Sequence, residues 1–304
     1  MNSAIPGAPA LSHLLEIQLE VWPEHERFLS KRFADTDVAA AERVAGLVLK
    51  LSDDPRTLAT DYRWLCGHLY EEELHLRRTG SYRLTRFEDA VREVYSNREY
   101  MGRYMNGLLI SQVWWENHTR VIDYYSRTFL PQNKAGYSHL EIGPGHGLLL
   151  YFAAQDAHAG FVTAWDLSDA SLDATRDALA RLTIPREVHL EKRNLFDAPV
   201  GAQRFDSIVV SEVCEHLEDP ESALRGLHKH FAQAGRLFVN VPVNSPAPDH
   251  IYLLRTPEEA VAMVRNSGYD IVEQHFFPVS GYSEERARKS QLTISCVIVG
   301  TVRS

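Results

Sequence analysis

Three glycines and one acidic residue stand close together in "HLEIGPGHG", residues 139–147. Glycine allows a tight backbone turn, and it lets a ligand approach main-chain N–H groups because no Cβ is in the way. Gly143, Gly145 and Gly147 therefore indicate a ligand-binding turn between a strand and a helix. Neither G-x-G-x-x-G nor the phosphate loop G-x-x-x-x-G-K-[ST] is present. Glu141 would repel a diphosphate but attract an ammonium group, so the predicted ligand is a nucleoside with a cationic tail.

Polar residues also end the next two apolar runs. Asp166 in "TAWDLS" lies 19 residues after Gly147, and a carboxylate there can accept hydrogen bonds from both hydroxyls of a ribose. A helix N-cap is the other interpretation of Asp166, although Ser168 competes for that role. Asn194 in "KRNLFD" can meet an adenine amino group or hold an ordinary turn, and Leu195 can cover the ring.

These segments resemble the class I S-adenosylmethionine-dependent methyltransferases. The resemblance is carried by "LEIGPGHG", "WDLS", "NLFD" and "FDSIVVSEVCEHLEDP", in the order and spacing of that family, and covers residues 135–304. It implies a Rossmann-like fold and S-adenosyl-L-methionine as the cofactor. It also implies the cofactor-binding residues: Glu141, Gly143, Gly145 and Gly147 at the methionine part, Asp166 at the ribose with Leu167 beside it, Asn194 and Leu195 at the adenine, and Ser211 and Glu212 on the sulfonium side.

Methyl transfer from a sulfonium is an in-line displacement. The enzyme chiefly aligns the acceptor, and it needs a base only when the reacting atom carries a proton. Two stretches, "SEVCEHLEDP" and "NVPVNSPAPDHIYLL", offer suitable groups. We predict catalytic roles for His250, Asp249 and His216, and substrate binding by Glu215 and Asn244. The alternatives are that Glu215 and His216 cap the next helix, and that Asp249 and His250 lie at the surface.

The acceptor class is predicted from the charge of these stretches. Carboxylates around the acceptor suit a cation, so we predict a small metabolite that is an amine or an arginine-like guanidine. A phenol or an activated carbon, methylated on oxygen or carbon, is the alternative and would need only a base such as His250. DNA methylation commonly uses (N/D)-P-P-(Y/F) where this chain has "SEVC". A catalytically silent cofactor-binding scaffold and a protein or peptide methyltransferase also remain open.

The first 130 residues have helical periodicity, with apolar residues at three- and four-residue spacing. A long helix is predicted from Ser96, its N-cap, through "SNREYMGRYMNGLLISQVWWENHTRVIDYYSRTFL". We expect residues 1–130 to form an all-α lid domain that contributes substrate contacts from Tyr104, Trp115 and His118. Glu72 and His75 have a metal-ligand spacing, but no second Glu-x-x-His follows in this half, so no metal site is predicted.

Residues 131–304 alternate short β-rich runs with helical stretches, which predicts an α/β domain that binds S-adenosylmethionine. Seven strands are expected, in a mostly parallel sheet. The last two runs follow each other without a helical pattern between them, so the last strand is predicted to be antiparallel, at the end of the sheet.

Composition and net charge limit the classes of partner that the protein is expected to bind. The chain has 304 residues, 44% hydrophobic, with a net charge of −9. This charge argues against a nucleic-acid partner, because such binding depends on Lys and Arg. No apolar run reaches the length of a membrane helix, and the first residues do not read as a secretory signal. Three widely spaced cysteines favour a reducing cytoplasm. The predicted partner is a small-molecule substrate, and a homodimer is allowed.

Overall fold

A computed structural model describes residues 5–33, 38–196 and 203–303. These residues divide into two compact units. The first comprises the described residues up to Arg120, together with Ser245–Ile251 and Pro278–Leu292. The second comprises Val121–Asn244, Tyr252–Phe277 and the residues from Thr293 onward. None of the described helices is long and apolar enough to span a membrane.

The N-terminal part of the chain is helical, as its periodicity predicted. The α-helices described there are α1 Pro9–Val21, α2 Glu26–Arg32, α3 Val38–Leu51, α4 Pro55–Thr79, α5 Phe87–Ala90, α6 Arg98–Trp114 and α7 Glu116–Tyr124. Single turns of 3-10 or π type cover Pro23–His25, Val91–Tyr95, Tyr125–Phe129 and Leu130–Gln132. In the first unit α1 packs on α3 and α4, and α6 packs on α3 and α4.

The long helix predicted from Ser96 begins later and is interrupted. Asn97 is the N-cap of α6, because its side chain accepts the Tyr100 N–H at 3.1 Å. Ser96 instead donates its hydroxyl to the Val91 carbonyl. At Trp115 the backbone becomes extended, which ends α6 and separates it from α7. The capping prediction was therefore wrong by one residue, since two adjacent polar residues offered equivalent side chains.

The second unit contains the predicted seven-stranded sheet. Its strands are β1 Tyr137–Ile142, β2 Ala159–Asp166, β3 His189–Lys192, β4 Phe205–Ser211, β5 Phe231–Val243, β6 Tyr269–Pro278 and β7 Ile294–Val302. The helices described between them are α8 Leu148–Gln155, α9 Asp169–Leu182, α10 Pro220–Gly226, α11 Pro257–Asn266 and α12 Glu284–Lys289, the last in the first unit.

The strand order is β3-β2-β1-β4-β5-β7-β6. Parallel pairing joins β3, β2, β1, β4 and β5, and β7 runs antiparallel to β5. The predicted Rossmann-like fold with an antiparallel last strand is thus confirmed. Its predicted position at the sheet end was wrong, because β7 lies between β5 and β6. Its residues Ile294 to Val299 are nearly inaccessible to solvent, as an interior strand requires.

Candidate active site

The glycine turn lies at the carboxyl end of β1, which pairs with the central strand β4. Gly143, Gly145 and Gly147 all have positive φ, at +66°, +53° and +74°. L-residues rarely adopt this conformation. Gly147 also begins α8 as its N-cap. A Cβ on Gly143 would lie 3.0 Å from Val213 Cγ2, so the loop after β4 lies directly beside the turn. The glycines thus allow a positive-φ turn next to the loop after β4, and the approach of a ligand to this turn stays a prediction.

Glu141 lies near the end of β1 with 3% of its surface exposed. Its Oε2 has no hydrogen-bond partner among the described residues. Burial raises the pKa of this carboxyl well above its usual range. A buried carboxyl oxygen without a partner is costly unless a ligand satisfies it. The residues present therefore fit a cofactor that brings an N–H donor to the glycine turn.

Asp166, the last residue of β2, does not cap α9. Ser168 is the N-cap, and its hydroxyl accepts the Ser171 N–H. The Asp166 carboxylate accepts the Ser168 N–H at 2.9 Å and the Ser171 hydroxyl at 2.7 Å. Each oxygen can accept a further hydrogen bond, because a carboxylate offers about four lone-pair positions. The two bonds fix the orientation of the carboxylate at the end of the strand.

The predicted adenine contacts follow β3. The Asn194 side chain accepts the Phe196 N–H at 3.0 Å, so it does hold a turn, as the alternative interpretation had it. Leu195 is half-buried, and Leu167 after β2 is 48% exposed. An exposed leucine at this edge is available to cover an apolar ring. Asp197, the last letter of "NLFD", lies outside the described residues.

Ser211 and Glu212 lie at the end of β4, facing Asn240 of β5. The Asn240 Nδ2 donates to Ser211 Oγ at 3.0 Å and to Glu212 Oε1 at 2.8 Å. The Glu212 N–H donates to the Asn240 carbonyl. Glu212 has a φ of +52°, a strained conformation for a residue with a side chain. Burial raises its pKa to about 7.

Glu215 and His216 form a 3-10 turn immediately after this strand end. Glu215 is 1% exposed. His216 Nε2 lies 3.9 Å from Glu215 Oε1. Asn244 also has a positive φ, +46°, and its side chain donates to the Arg255 carbonyl. Among the predicted acceptor residues, the second unit thus brings together Glu212, Glu215 and His216.

Asp249 belongs to the first unit, where two tyrosines hold it. Tyr104 donates to Oδ1 at 2.7 Å, and Tyr95 donates to Oδ2 at 3.2 Å. The side chain is 3% exposed, so the predicted surface alternative does not apply. Tyr100 stacks on Tyr104 with ring centroids 6.0 Å apart. Each oxygen of this carboxylate therefore accepts a phenol hydrogen bond.

His250 is also buried, at 7% exposure. Its Nδ1 lies 2.6 Å from the Ser245 carbonyl, which can only accept, so Nδ1 carries the proton. The neutral ring then has its basic lone pair on Nε2. The Tyr82 ring packs edge-on against the imidazole. This tautomer is the one that a base acting through Nε2 requires.

Trp115 and His118 lie at the junction of α6 and α7. The Trp115 indole N–H donates to the Tyr62 hydroxyl, and the two rings of Trp115 and His118 pack edge-on. His118 Nδ1 lies within hydrogen-bond distance of Ser111 and Gln112. Both residues are half-buried in the first unit. Their substrate contacts, like the other role assignments above, stay predictions.

Sequence reasoning missed several residues that hold these groups. Tyr95 lies outside the stretches that were singled out, and nothing in its local pattern linked it to a residue 154 positions later. Asn240 offered a signal, since it is a polar residue within the apolar run "RLFVNVPV". Ser171 and Thr175 share one face of α9 by their four-residue spacing, and the Thr175 hydroxyl donates to the Gly145 carbonyl.

Comparison with known proteins gives a partial match. Residues 140–237 match the family described as "Methyltransferase domain". A ubiquinone biosynthesis O-methyltransferase of Coxiella burnetii is 23% identical over 134 residues, 44% of this chain and 55% of that protein. A ubiquinone/menaquinone biosynthesis C-methyltransferase of Vibrio cholerae is 28% identical over 107 residues, 35% and 41% of the two chains. The chain thus spans about half or less of the length of these relatives.

A solved structure with a similar fold is the N-methyltransferase NodS of Bradyrhizobium japonicum, in complex with S-adenosyl-L-homocysteine. The two chains are 18% identical and superpose with a TM-score of 0.47. The alignment covers 62% of this chain and 88% of that chain.

The sheet order and the glycine turn after β1 define a Rossmann-like methyltransferase domain. Residues 140–237 of this domain match the methyltransferase family model, in agreement with the resemblance of the motifs to the class I S-adenosylmethionine-dependent methyltransferase family. The cofactor of that family is S-adenosyl-L-methionine.

Proposed function

We propose that this protein methylates a nitrogen atom of a small amine or guanidine, with S-adenosyl-L-methionine as the methyl donor. The observation that carries the proposal is that the loop with Glu212 and Glu215 lies beside the glycine turn. Val213, which contacts Gly143, lies between Glu212 and the turn that carries Glu215. Carboxyl groups at the place where the methyl donor binds favour a cationic acceptor.

The residues of the second unit would hold the cofactor. Glu141 would accept N–H bonds from the methionine ammonium, and Asp166 would accept both ribose hydroxyls. Asn194 would meet the adenine amino group, with Leu167 and Leu195 against the ring, and Ser211 would line the sulfonium side with Glu212. When bound, S-adenosylmethionine supplies the methyl group and a neutral thioether leaving group.

The acceptor would be held as a cation and then deprotonated. Glu215 and Glu212 would bind its N–H groups, and His250 would take the proton through Nε2, the nitrogen on which its tautomer leaves the lone pair. Asp249 would act as a positioning residue, because Tyr95 and Tyr104 both donate to it. His216, Asn244, Tyr104, Trp115 and His118 would contribute acceptor contacts.

The test is a screen of amines, guanidines and phenols with a labelled methyl donor, followed by mass-spectrometric location of the added methyl group. Label on nitrogen is expected. A methyl group on oxygen or carbon would refute the nitrogen assignment while leaving the methyltransferase intact. Cofactor binding without turnover of any acceptor would instead favour a scaffold that binds the cofactor silently.

An O- or C-methyltransferase is the second candidate. It is favoured by the similarity to two named relatives, one an O-methyltransferase and the other a C-methyltransferase. Such an acceptor would need the base His250 but not the carboxyl pair. Glu215→Gln would then leave the acceptor KM unchanged, whereas a cationic acceptor would lose a charge partner and show a raised KM.

A further inference from the structure

Helix α9 carries two hydroxyl side chains, Ser171 and Thr175, which lie on the same face because they are four residues apart. The Ser171 hydroxyl donates to Asp166 Oδ2 at 2.7 Å. A serine hydroxyl has one proton to donate, and Ser171 gives it to the carboxylate at the end of β2. This bond therefore links the first turn of α9 to the residue that is predicted to bind the ribose.

Thr175 contacts the glycine turn at two points. Its hydroxyl lies 3.0 Å from the Gly145 carbonyl and 3.0 Å from the Ser171 carbonyl, so its one proton is shared between them. Its Cγ2 lies 3.6 Å from the position that a Cβ on Gly147 would occupy. The side chain is fully buried. A helical threonine can satisfy its hydroxyl on the carbonyl four residues earlier, so the bond to Gly145 is an additional, tertiary contact.

The N-cap of α9 is independent of these two bonds. The Ser168 hydroxyl accepts the Ser171 N–H, and the Ser168 backbone N–H donates to Asp166 Oδ1. Ser168→Ala would remove the cap but keep both bonds to Asp166, because one comes from the backbone of residue 168 and the other from the Ser171 side chain. The stability of the helix and the orientation of the carboxylate can therefore be tested separately.

We propose that Ser171 and Thr175 are positioning residues for two different parts of the cofactor. Ser171 orients the carboxylate that accepts the ribose hydroxyls, and Thr175 holds the turn that receives the methionine part. The inference rests on the proposed contacts of Asp166 and the glycine turn with S-adenosylmethionine, and it does not depend on the acceptor. Groups that are held in place before the ligand arrives lower the cost of binding.

Cofactor fragments separate the two roles in calorimetry on the full-length protein. S-adenosylhomocysteine has every part of the cofactor except the methyl group, and 5′-methylthioadenosine lacks the amino-acid part. Ser171→Ala should weaken both ligands by about two- to tenfold, the equivalent of one hydrogen bond. It should not weaken S-adenosylhomocysteine that lacks both ribose hydroxyls. Ser171→Thr keeps a hydroxyl and should retain the affinity of the unaltered protein.

Thr175→Val should have a different signature. It should weaken S-adenosylhomocysteine by about two- to tenfold and leave 5′-methylthioadenosine unchanged, and Thr175→Ser should restore the affinity. The matched control is Thr163→Val, because Thr163 is a fully buried threonine whose hydroxyl donates to the His189 carbonyl within the sheet. This variant should bind both ligands normally. An equal loss for both ligands in Thr175→Val would indicate a purely structural role and overturn the assignment of Thr175.

The cap variant controls for the stability of α9. Ser168→Ala should lower the midpoint of urea unfolding, because an N-cap is lost, and should leave the affinity for S-adenosylhomocysteine unchanged. A loss of affinity as large as that in Ser171→Ala would attribute the effect to helix stability and overturn the assignment of Ser171.

A double variant tests whether Ser171 acts through Asp166. In an Asp166→Ala background, Ser171→Ala should cause no further loss of affinity, and a further loss of the same size would overturn the positioning role. Normal binding by Asp166→Ala alone would refute the proposed ribose contact and the role of Ser171 with it. Weak binding by Asp166→Ala together with normal binding by Ser171→Ala would refute the positioning role alone. The acceptor screen tests the proposed methylation separately.

Discussion

Three acidic residues of the candidate site differ in how their carboxyl oxygens are used. Glu141 is buried with one oxygen unpartnered among the described residues. Asp166 accepts from Ser168 and Ser171, and Asp249 accepts from two phenols. An unpartnered oxygen favours ligand binding, a carboxylate oriented at the end of a strand favours recognition, and a buried one held by two phenols favours positioning. The same functional group thus has three proposed roles, which its neighbours determine.

Asp166→Ala should weaken S-adenosylmethionine binding. Its two oxygens are oriented by Ser168 and Ser171, so they are ready to accept the ribose hydroxyls. Loss of these bonds should cost roughly 1.5–3 kcal/mol, the range for hydrogen bonds to charged groups. Calorimetry measures this loss of binding free energy. The matched control is Asp169→Ala, an exposed aspartate three residues on, which should bind normally. Equal affinity in both variants would remove Asp166 from the site.

His250→Ala should lose turnover while keeping cofactor affinity. Removing a general base typically costs a factor of about 10²–10⁴ in rate. The loss should be smallest at high pH, because more of the acceptor is then already deprotonated. Initial rates between pH 6 and pH 10, with His158→Ala as an exposed control, test the role. An unchanged rate, or a loss independent of pH, would argue against a base at this position.

At the scale of elements, the turn from β1 into α8 is constrained by three glycines with positive φ. Gly143→Ala and Gly147→Ala should each destabilise the protein by about 1–2 kcal/mol, the cost of a left-handed L-residue. Gly143→Ala should cost more, because its Cβ would press on Val213 at 3.0 Å, whereas the Cβ of Gly147→Ala has 3.6 Å to Thr175. Urea unfolding measures the loss of stability in both variants.

Gly67→Ala provides the control for that comparison. This glycine lies inside α4, and nothing lies within 4 Å of its added Cβ. Alanine there should stabilise the protein by about 0.5–1 kcal/mol. A smaller effect at position 143 than at 147 would contradict the contact between the glycine turn and the loop after β4.

The helices and strands were largely predictable from the sequence, whereas the question of which elements lie next to each other was less so. All seven strands were indicated by short β-rich runs, and the pattern is strongest in interior strands such as β4 and β7, because burial on both faces requires apolar residues. The position of β7 between β5 and β6 was not, since antiparallel pairing on either side satisfies the same pattern. The proposed cofactor residues had a local signature, whereas Tyr95 and Asn240 act through tertiary contacts that no spacing rule encodes.

At the scale of the whole molecule, the two units do not correspond to two continuous stretches of chain. Residues 245–251, which include Asp249 and His250, belong to the first unit, as do residues 278–292. A division into a lid domain of residues 1–130 and a cofactor domain of residues 131–304 stays a proposal. Residues from three separate segments complete the first unit.

The fragment 131–304 should therefore lose turnover. It lacks Tyr95 and Tyr104, so Asp249 would keep neither of its phenol donors, and the segment carrying His250 would lose its support. Acceptor methylation by the fragment, compared with the full-length protein at equal cofactor saturation, is the measurement. Turnover at the full rate would show that the helical residues are dispensable and that the lid role is wrong.

The division of the first unit among three separate chain segments also has a consequence for synthesis on the ribosome. N-terminal segments emerge first, so helices α1 to α6 are complete long before their last partners exist. Asp249 follows Tyr104 by 145 residues, after strands β1 to β5 have been translated. Until then the two phenols of the nascent chain lack their acceptor. A product that stops before residue 245 would carry the glycine turn and Asp166, but it would lack His250 and strands β6 and β7, so neither unit could be completed.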